Sequence, residues 1–462
     1  MRAGDRGWQT GSAFRMWVLW TYVIGLCTAS LPGLASAQVP RIQGQGSAAS
    51  AMSNAFAAQA DDPSALHYNP AGMTQLQGIQ FMAGALASGG STNFTSLTGV
   101  TARGDRNGSA AWPPPGHMYI TANLKSLGVT ALGDLSVGIG LTVPFGSLTR
   151  WPNEGPFRSA TTFSTLPLLD IKPTLAYKVT ENLSLGLGAD IYTFSGLVGE
   201  GHAERQAIPA AGVKTELTGK DTAAGFNASL LYTALRNDDG KPLANIGIVY
   251  RSQATLHLSG ALLANGAKVS DASVTLVLPQ IITGAIAISP IRTNEREWKL
   301  EMDVDYVGWK SVRNLDVTLG NGMTIAQPQN WRNTYAVMLG TEYKWLALES
   351  LPNWEVALRG GYTNQQNQIP DVTYDPGIPS SDLHVVGGGL GLLCKEQGSF
   401  LGLMRCGDIG LGPLKPKAIG LDLAFQAGLY EDRTVQGNRN STVDGIYRTT
   451  LYLGSATIRM VY

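Results

Sequence analysis

Beyond about residue 78 the chain alternates apolar and polar residues with a period of two, the pattern of strands that have one apolar and one polar face. Trp298, Leu300, Met302, Val304 and Tyr306 alternate with Lys299, Glu301, Asp303 and Asp305, so one face is wholly apolar and the other wholly charged. The pattern recurs with small residues on the polar side. Leu135, Val137, Ile139, Leu141 and Val143 stand against Ser136, Gly138, Gly140 and Thr142; Leu183, Leu185 and Leu187 stand against Ser184, Gly186 and Gly188. A soluble sandwich uses such a strand once, at a solvated edge, whereas a chain built largely of them needs a solvent that accepts an apolar exterior. Charged residues supply only 15% of the chain, against about 25% in soluble domains. The 34 basic and 34 acidic residues cancel, which removes the basic footprint of a nucleic-acid partner. Past the N-terminus no run of 18 apolar residues occurs, so spanning helices are excluded. A closed β-barrel is the other structure that satisfies its own backbone in lipid.

The N-terminus reads as an address. Arg2, Arg6 and Arg15 lie before or at the start of a mostly apolar stretch, Met16 to Leu34, and Ala35-Ser36-Ala37 has the small-x-small form of a signal-peptidase site. The expected division is 1–37 signal peptide, 38–77 N-terminal segment and 78–462 barrel. Cys27 falls in the signal, which leaves Cys394 and Cys406 free to pair after export to an oxidising compartment.

Turn signals divide the remainder into fourteen strands, near 78–88, 117–127, 135–145, 163–178, 183–195, 218–235, 243–260, 270–288, 296–309, 331–345, 354–364, 383–393, 416–429 and 445–461. Short connections such as Thr180-Glu181-Asn182 and Asn237-Asp238-Asp239-Gly240 take turns with long ones. Bacterial barrels have even strand numbers, short periplasmic turns and long external loops. Both ends are therefore expected in the periplasm, with both cysteines in the one long connection on that side, 394–415. Trp309, Trp331, Tyr343, Trp345, Trp354 and Tyr362 lie near strand ends and are expected in the aromatic girdles at the lipid headgroups. Ile458-Arg459-Met460-Val461-Tyr462 ends the chain with apolar residues at alternate positions and a terminal aromatic, an ending that resembles the signal read by the outer-membrane barrel assembly machinery.

Residues 38–77 do not alternate. Ser50 to Ala60 is rich in Ala and is expected to form one short helix, with Met52 and Phe56 four apart on one face and Asp61-Asp62-Pro63 ending it. The run Asn54-Ala55-Phe56-Ala57-Ala58-Gln59-Ala60-Asp61-Asp62-Pro63-Ser64-Ala65-Leu66, followed by Tyr68-Asn69-Pro70-Ala71-Gly72, closely resembles the N-terminal signature of the FadL family, outer-membrane channels for long-chain fatty acids and other hydrophobic compounds. Lys172-Pro173-Thr174-Leu175-Ala176-Tyr177, Asp303-Val304-Asp305-Tyr306 with Trp309, and Leu358-Arg359-Gly360-Gly361-Tyr362 before Ile369-Pro370-Asp371 look like further family motifs in the family's order. The resemblance implies a fourteen-stranded antiparallel transmembrane barrel in the outer membrane of a Gram-negative bacterium, with the N-terminal segment folded into the lumen as a hatch. Phe56, Asn69, Pro70, Ala71 and Gly72 are then the hatch and gate residues. His67 stands where the family pattern leads one to expect an aromatic or large apolar residue.

Motifs that would carry other chemistry are incomplete. No Gly-x-Ser-x-Gly occurs, and no His spacing suggests a metal site or a Ser–His pair. Gly387-Gly388-Gly389-Leu390-Gly391 lies within a strand pattern with no Lys-Ser/Thr after it, and Asp303-x-Asp305 lacks the other ligands of a calcium loop. No catalytic residue, cofactor or metal is assigned. The expected charged lumen face comprises Lys299, Glu301, Asp303, Asp305, Glu342, Lys344, Glu355, Arg359, Asp422 and Arg459. Glu301, Asp303 and Asp305 form a ladder on one strand, and Lys299 or Arg359 is a candidate to meet a ligand carboxylate. The function read from the sequence is passive uptake of hydrophobic molecules, long-chain fatty acids first, by a monomer in contact with outer-membrane lipid and lipopolysaccharide. Uptake of aromatic hydrocarbons, a polar-solute porin and a lipid-acting barrel enzyme are the alternatives.

Overall fold

The computed structural model describes residues 41–106, 116–146, 148–197, 199–206, 213–378, 380–400, 402–409 and 415–462; the expected signal peptide and residues 38–40 lie outside them. Fourteen strands make the wall. The first seven are β1 (Ile79–Ser96), β2 (Gly116–Asn123), β3 (Leu135–Phe145), β4 (Leu168–Lys178), β5 (Leu183–Thr193), β6 (Ala223–Arg236) and β7 (Pro242–Arg251). The rest are β8 (Ile281–Arg292), β9 (Arg296–Val307), β10 (Thr334–Trp345), β11 (Trp354–Gln365), β12 (Leu383–Lys395), β13 (Ala418–Tyr430) and β14 (Gly445–Val461). Each pairs antiparallel with its chain neighbours. The circle closes where β14 returns to β1, from Gln80 opposite Val461 to Ser96 opposite Gly445.

The alternation in sequence becomes inside and outside. On β9, Met302 is 44% exposed on the outer face while Asp303 is 1% exposed on the inner one. Ile139, Leu187, Ile248, Ile286, Leu358 and Phe425 are likewise exposed on the outer surface, the apolar band that hydrocarbon covers. Short turns join the strands on the side of both barrel termini, and Cys394, near the end of β12, is disulfide-bonded to Cys406 in the long connection there.

Some expected strands are interrupted where their pattern ran on. The segment 163–178 is interrupted before Leu168, where Pro167 has no N–H to give a ladder. The segments 243–260 and 270–288 each contain a wall strand and part of a separate external hairpin, Ala254–Ala264 with Ala267–Leu278. That hairpin turns at Asn265 and Gly266, both at positive φ (48° and 81°), the backbone a tight hairpin needs. External strands Lys214–Gly219 and Val317–Leu319 add to its two edges, so the outer connections form a β-rich collar. Trp309 and Trp331 belong to this collar's core and not to a lipid-facing girdle: each is 3% exposed and their rings meet edge to face at 5.3 Å. The apolar interior of the folded loops outcompetes the headgroup region for these two rings.

Candidate functional site

From Arg41 to Gln77 the chain runs inside the barrel. It contains α1 (Ser47–Ala51), α2 (Ala65–Tyr68) and a 3-10 turn, Pro70–Gln75. Ala49, Ala51, Ala55, Ala58, Ala60, Ala65 and Ala71 are completely buried. Small hatch residues meet small wall residues: a Cβ added to Gly361 would lie 2.2 Å from the Met52 carbonyl carbon, and one on Gly247 would lie 2.5 Å from the Ala57 oxygen. Gly361 and Gly247 are thus seats for the hatch backbone, as is Gly186 for the Ala71 N–H, while Gly138 and Gly140 make room for the Leu66 side chain.

The single helix expected over Ser50–Ala60 does not form. Helix α1 ends at Ala51, and Ser53, Asn54 and Ala60 take positive φ. The backbone N–H groups that a continuing helix would use internally are given to the wall instead. Phe56 and Ala57 donate to Asp303 Oδ2, each at 3.0 Å, while Ala58 and Gln59 donate to Glu301 Oε1 and Oε2 at 2.6 and 3.0 Å. Four such bonds, each contributing a net ~0.5–1.5 kcal/mol, together exceed the modest propensity of a short Ala-rich helix. Asp305, next on the same inner row, accepts from Arg41 Nη1 and Thr283 Oγ1, both at 2.5 Å.

Lys299 and Arg359 face the lumen nearer the periplasmic end, and both are engaged. Lys299 Nζ lies 2.5 Å from Asp61 of the hatch and 3.4 Å from Glu342. Arg359 bridges Glu342 and Asp422, 2.6 Å from each. Two other cations stand higher in the lumen: Arg41 and Arg251, which with Gln43, Asn54, His67 and Tyr68 border a cavity of about 30 Å³. Arg251 Nη2 donates to the His67 carbonyl at 2.9 Å. Sequence reading missed Arg41 and Arg251, and also the buried Asp170, Lys172 and Asp190, where Lys172 is ion-paired with both carboxylates. Asp170 and Lys172 flank outward Ile171 in the same alternation that revealed β9, which was the available signal.

The Asn-Pro-Ala-Gly element is a junction. Asn69 Nδ2 donates to Ala57 O at 2.7 Å and to Leu230 O of β6 at 3.1 Å, tying two parts of the hatch to the wall. The Ala71 N–H reaches Ser229 Oγ of β6 at 2.9 Å. Pro70 opens the 3-10 turn, where its missing N–H costs nothing and its fixed φ suits the turn. At Gly72 an added Cβ would meet Ala60 Cβ and O at 2.5 Å.

A second contact completes the wall itself. On β3 the register with β4 slips after Thr142, opposite Asp170, and resumes at Phe145, opposite Leu168. The pairing of β2 with β3 extends only to Leu141. The Val143 backbone between them is taken by the hatch: its N–H donates to Gln45 Oε1 at 3.1 Å, and Gln45 Nε2 donates to its C=O at 2.9 Å. Ile42 N–H also donates to Pro144 O at 2.7 Å. Gln45 acts as a piece of strand where the wall has a break.

Above the hatch, aromatic side chains from wall and loops pack into an apolar cap that includes Phe94, Phe145, Trp151, Phe157, Trp309 and Tyr447. Phe94 and Trp151 each stand 4.5 Å from Phe157, and Phe145 meets Tyr192 edge to face at 5.9 Å. The arrangement from outside inward is therefore a packed aromatic cap, a polar boundary with two guanidinium groups, and a hatch fastened by hydrogen bonds.

Residues 25–400 match the family model of outer membrane transport proteins that covers OMPP1, FadL and TodX. Outer membrane protein P1 of Haemophilus influenzae is 23% identical over 371 residues, which span 69% of this chain and 76% of that protein. The crystal structure of a Pseudomonas aeruginosa FadL homologue superposes with a TM-score of 0.69 at 15% identity, covering 91% of this chain and 99% of the other. The Pseudomonas putida toluene transporter TodX gives 0.58 at 19% identity, with 91% and 99% covered. At these identities the structural likeness is one of fold.

Proposed function

The chain belongs to the outer membrane transport protein family of OMPP1, FadL and TodX, and we propose that it carries long-chain fatty acids into the cell, with its N-terminal hatch as the gate. The observation that supports this reading is the order of environments along the lumen. The aromatic cap opens around the hydrocarbon chain, which gains area-proportional burial, and Arg41 and Arg251 border a small cavity with Ile281 of that cap, where a carboxylate gains charge-assisted hydrogen bonds.

Both arginines also hold the hatch, Arg41 belonging to it and Arg251 bonding the His67 carbonyl. A carboxylate that competes for them loosens the segment that carries Gln45, and Gln45 fills the break in β3. The ligand then leaves sideways beside β3. Flux follows the concentration gradient, and this chain performs no chemical step of its own. Outer-membrane lipid and lipopolysaccharide surround the apolar band, and the assembly machinery reads the C-terminal strand.

Uptake of labelled oleate by a deletion host, with and without Arg251→Gln, tests the reading. Restoration by the natural chain and at least a tenfold loss in the variant are expected. Equal uptake by both would overturn the carboxylate assignment. Transport of aromatic hydrocarbons is the second reading, favoured by the aromatic cap and by the likeness to a toluene transporter. Toluene uptake that exceeds oleate uptake and is indifferent to Arg251→Gln would establish it.

A further inference from the structure

The external connection between β5 and β6 contains an antiparallel ribbon, Gly201–Gln206 with Lys214–Gly219, in which Glu204 lies directly opposite Glu216 and His202 opposite Thr218. Residues two apart on a strand share a face, so His202, Glu204, Lys214 and Glu216 converge. Like charges directly across a strand pair are destabilising, and a cation between the two carboxylates removes that cost. The His202 Nε2 atom stands 3.0 Å from Glu204 Oε1 and 3.5 Å from Glu216 Oε2, and one ligand atom from each of the three side chains lies within 4.8 Å of the others. Ligands bound tetrahedrally at ~2.0–2.1 Å stand about 3.3 Å apart, so His202 already stands at that spacing from each carboxylate.

We propose that His202, Glu204 and Glu216 bind a zinc-like divalent transition-metal ion outside the membrane, with water as the fourth ligand. The donor set selects the ion, since imidazole with carboxylates suits zinc and its neighbours, whereas calcium and magnesium take oxygen. The Glu216 side chain is only 10% exposed, and the Phe163 ring of the adjacent strand meets His202 edge to face at 5.6 Å, so two of the ligands are held before the ion arrives. Lys214 is the incumbent cation, 3.0 Å from Glu216 and 3.4 Å from Glu204. Its side chain is 43% exposed and has solvent to move into when a doubly charged ion replaces it. The ribbon pairs with Phe163–Thr165 on one side and the Ala254–Ala264 strand on the other, so the ion would staple the middle of the collar.

Calorimetric titration of the detergent-solubilised, tag-free barrel with zinc chloride tests this, alongside His202→Ala, Glu204→Gln and Lys214→Gln. Heat-resistant migration on a gel shows that each variant is folded. One zinc per chain is expected in the natural protein, with affinity at least tenfold weaker in His202→Ala and Glu204→Gln and severalfold tighter in Lys214→Gln. Cobalt in place of zinc is expected to give the strong visible absorption of a tetrahedral site. No saturable zinc binding, equal affinity in His202→Ala, or binding that appears only once Lys214 is removed would each overturn the proposal.

Discussion

The hatch and the aromatic cap fill the same barrel one above the other and are held by opposite kinds of interaction. Successive hatch N–H groups, 56 to 59, point at two carboxylates of one wall strand, and the fit is directional: a small displacement loses several bonds together. The cap is built of rings in edge-to-face and tilted contact, an apolar assembly that repacks around a guest with little loss because burial has no direction. A plug wants the first kind of contact and a chamber for varied apolar solutes wants the second. On the proposed reading the difference lies in what each excludes: the hatch would stop polar solutes by filling the lumen with satisfied backbone, and the cap would stop nothing apolar.

The largest expected effect comes from removing one side of the comparison. Deletion of residues 38–70 takes away none of the fourteen wall strands, so the barrel is expected to fold and keep its heat-resistant gel migration. Sensitivity of cells to a large polar antibiotic is expected to rise at least tenfold. A truncated barrel that folds and admits no more antibiotic would mean that the cap alone seals the channel.

A subtler break is Asp303→Ala, which removes the carboxyl oxygen that two hatch N–H groups face. The loss of two hydrogen bonds is expected to cost about 1–3 kcal/mol of hatch docking, read as faster protease cleavage within residues 53–62 of an otherwise intact barrel. Unchanged cleavage would show that glycine-seated packing, and not the carboxylates, fastens the hatch.

What the sequence made legible follows the same division. Period-two alternation located β9 and its inward Asp303 because a strand's side chains have only two directions, and the wall enforces both. The hatch was legible as a segment and a signature but not as a path. Its Ala run has the composition of a helix, and only the tertiary offer of Glu301 and Asp303 decides that the N–H groups of 56 to 59 go elsewhere. The collar hairpin was in principle readable, since Asn265-Gly266 between two alternating runs is a hairpin signal. Trp309 and Trp331 misled because aromatic residues near strand ends suit either a headgroup girdle or a loop core, and one-dimensional pattern cannot tell which side of the wall they cover. Gln45 had no signal at all, because its role depends on a slip in the pairing of β3.

In the cap, Trp309→Ala removes a ring that joins Phe145 to Trp331. Because such contacts are replaceable, capture of an apolar probe is expected to weaken only severalfold, with polar exclusion unchanged, as read by binding of a fluorescent fatty acid beside antibiotic sensitivity. A rise in polar leakage from this change would erase the distinction between the two regions.

The smallest effect is expected at Gln45, where the two regions meet the break in the wall. Its carboxamide makes two neutral hydrogen bonds to Val143, contributing about 0.5–1.5 kcal/mol each. Gln45→Met keeps the side chain's length and removes both, so the Val143 N–H and C=O lose their partner at a point where neither β2 nor β4 pairs with them. The hatch keeps its carboxylate contacts at residues 56 to 59, and polar exclusion is therefore expected to hold. If the ligand leaves beside β3, loosening this edge alone is expected to raise the uptake of an apolar probe about two- to fivefold at low concentration. Uptake that falls, or stays the same while deletion of the whole hatch raises it, would move the exit away from β3 and leave Gln45 as a seal that the transport path does not use.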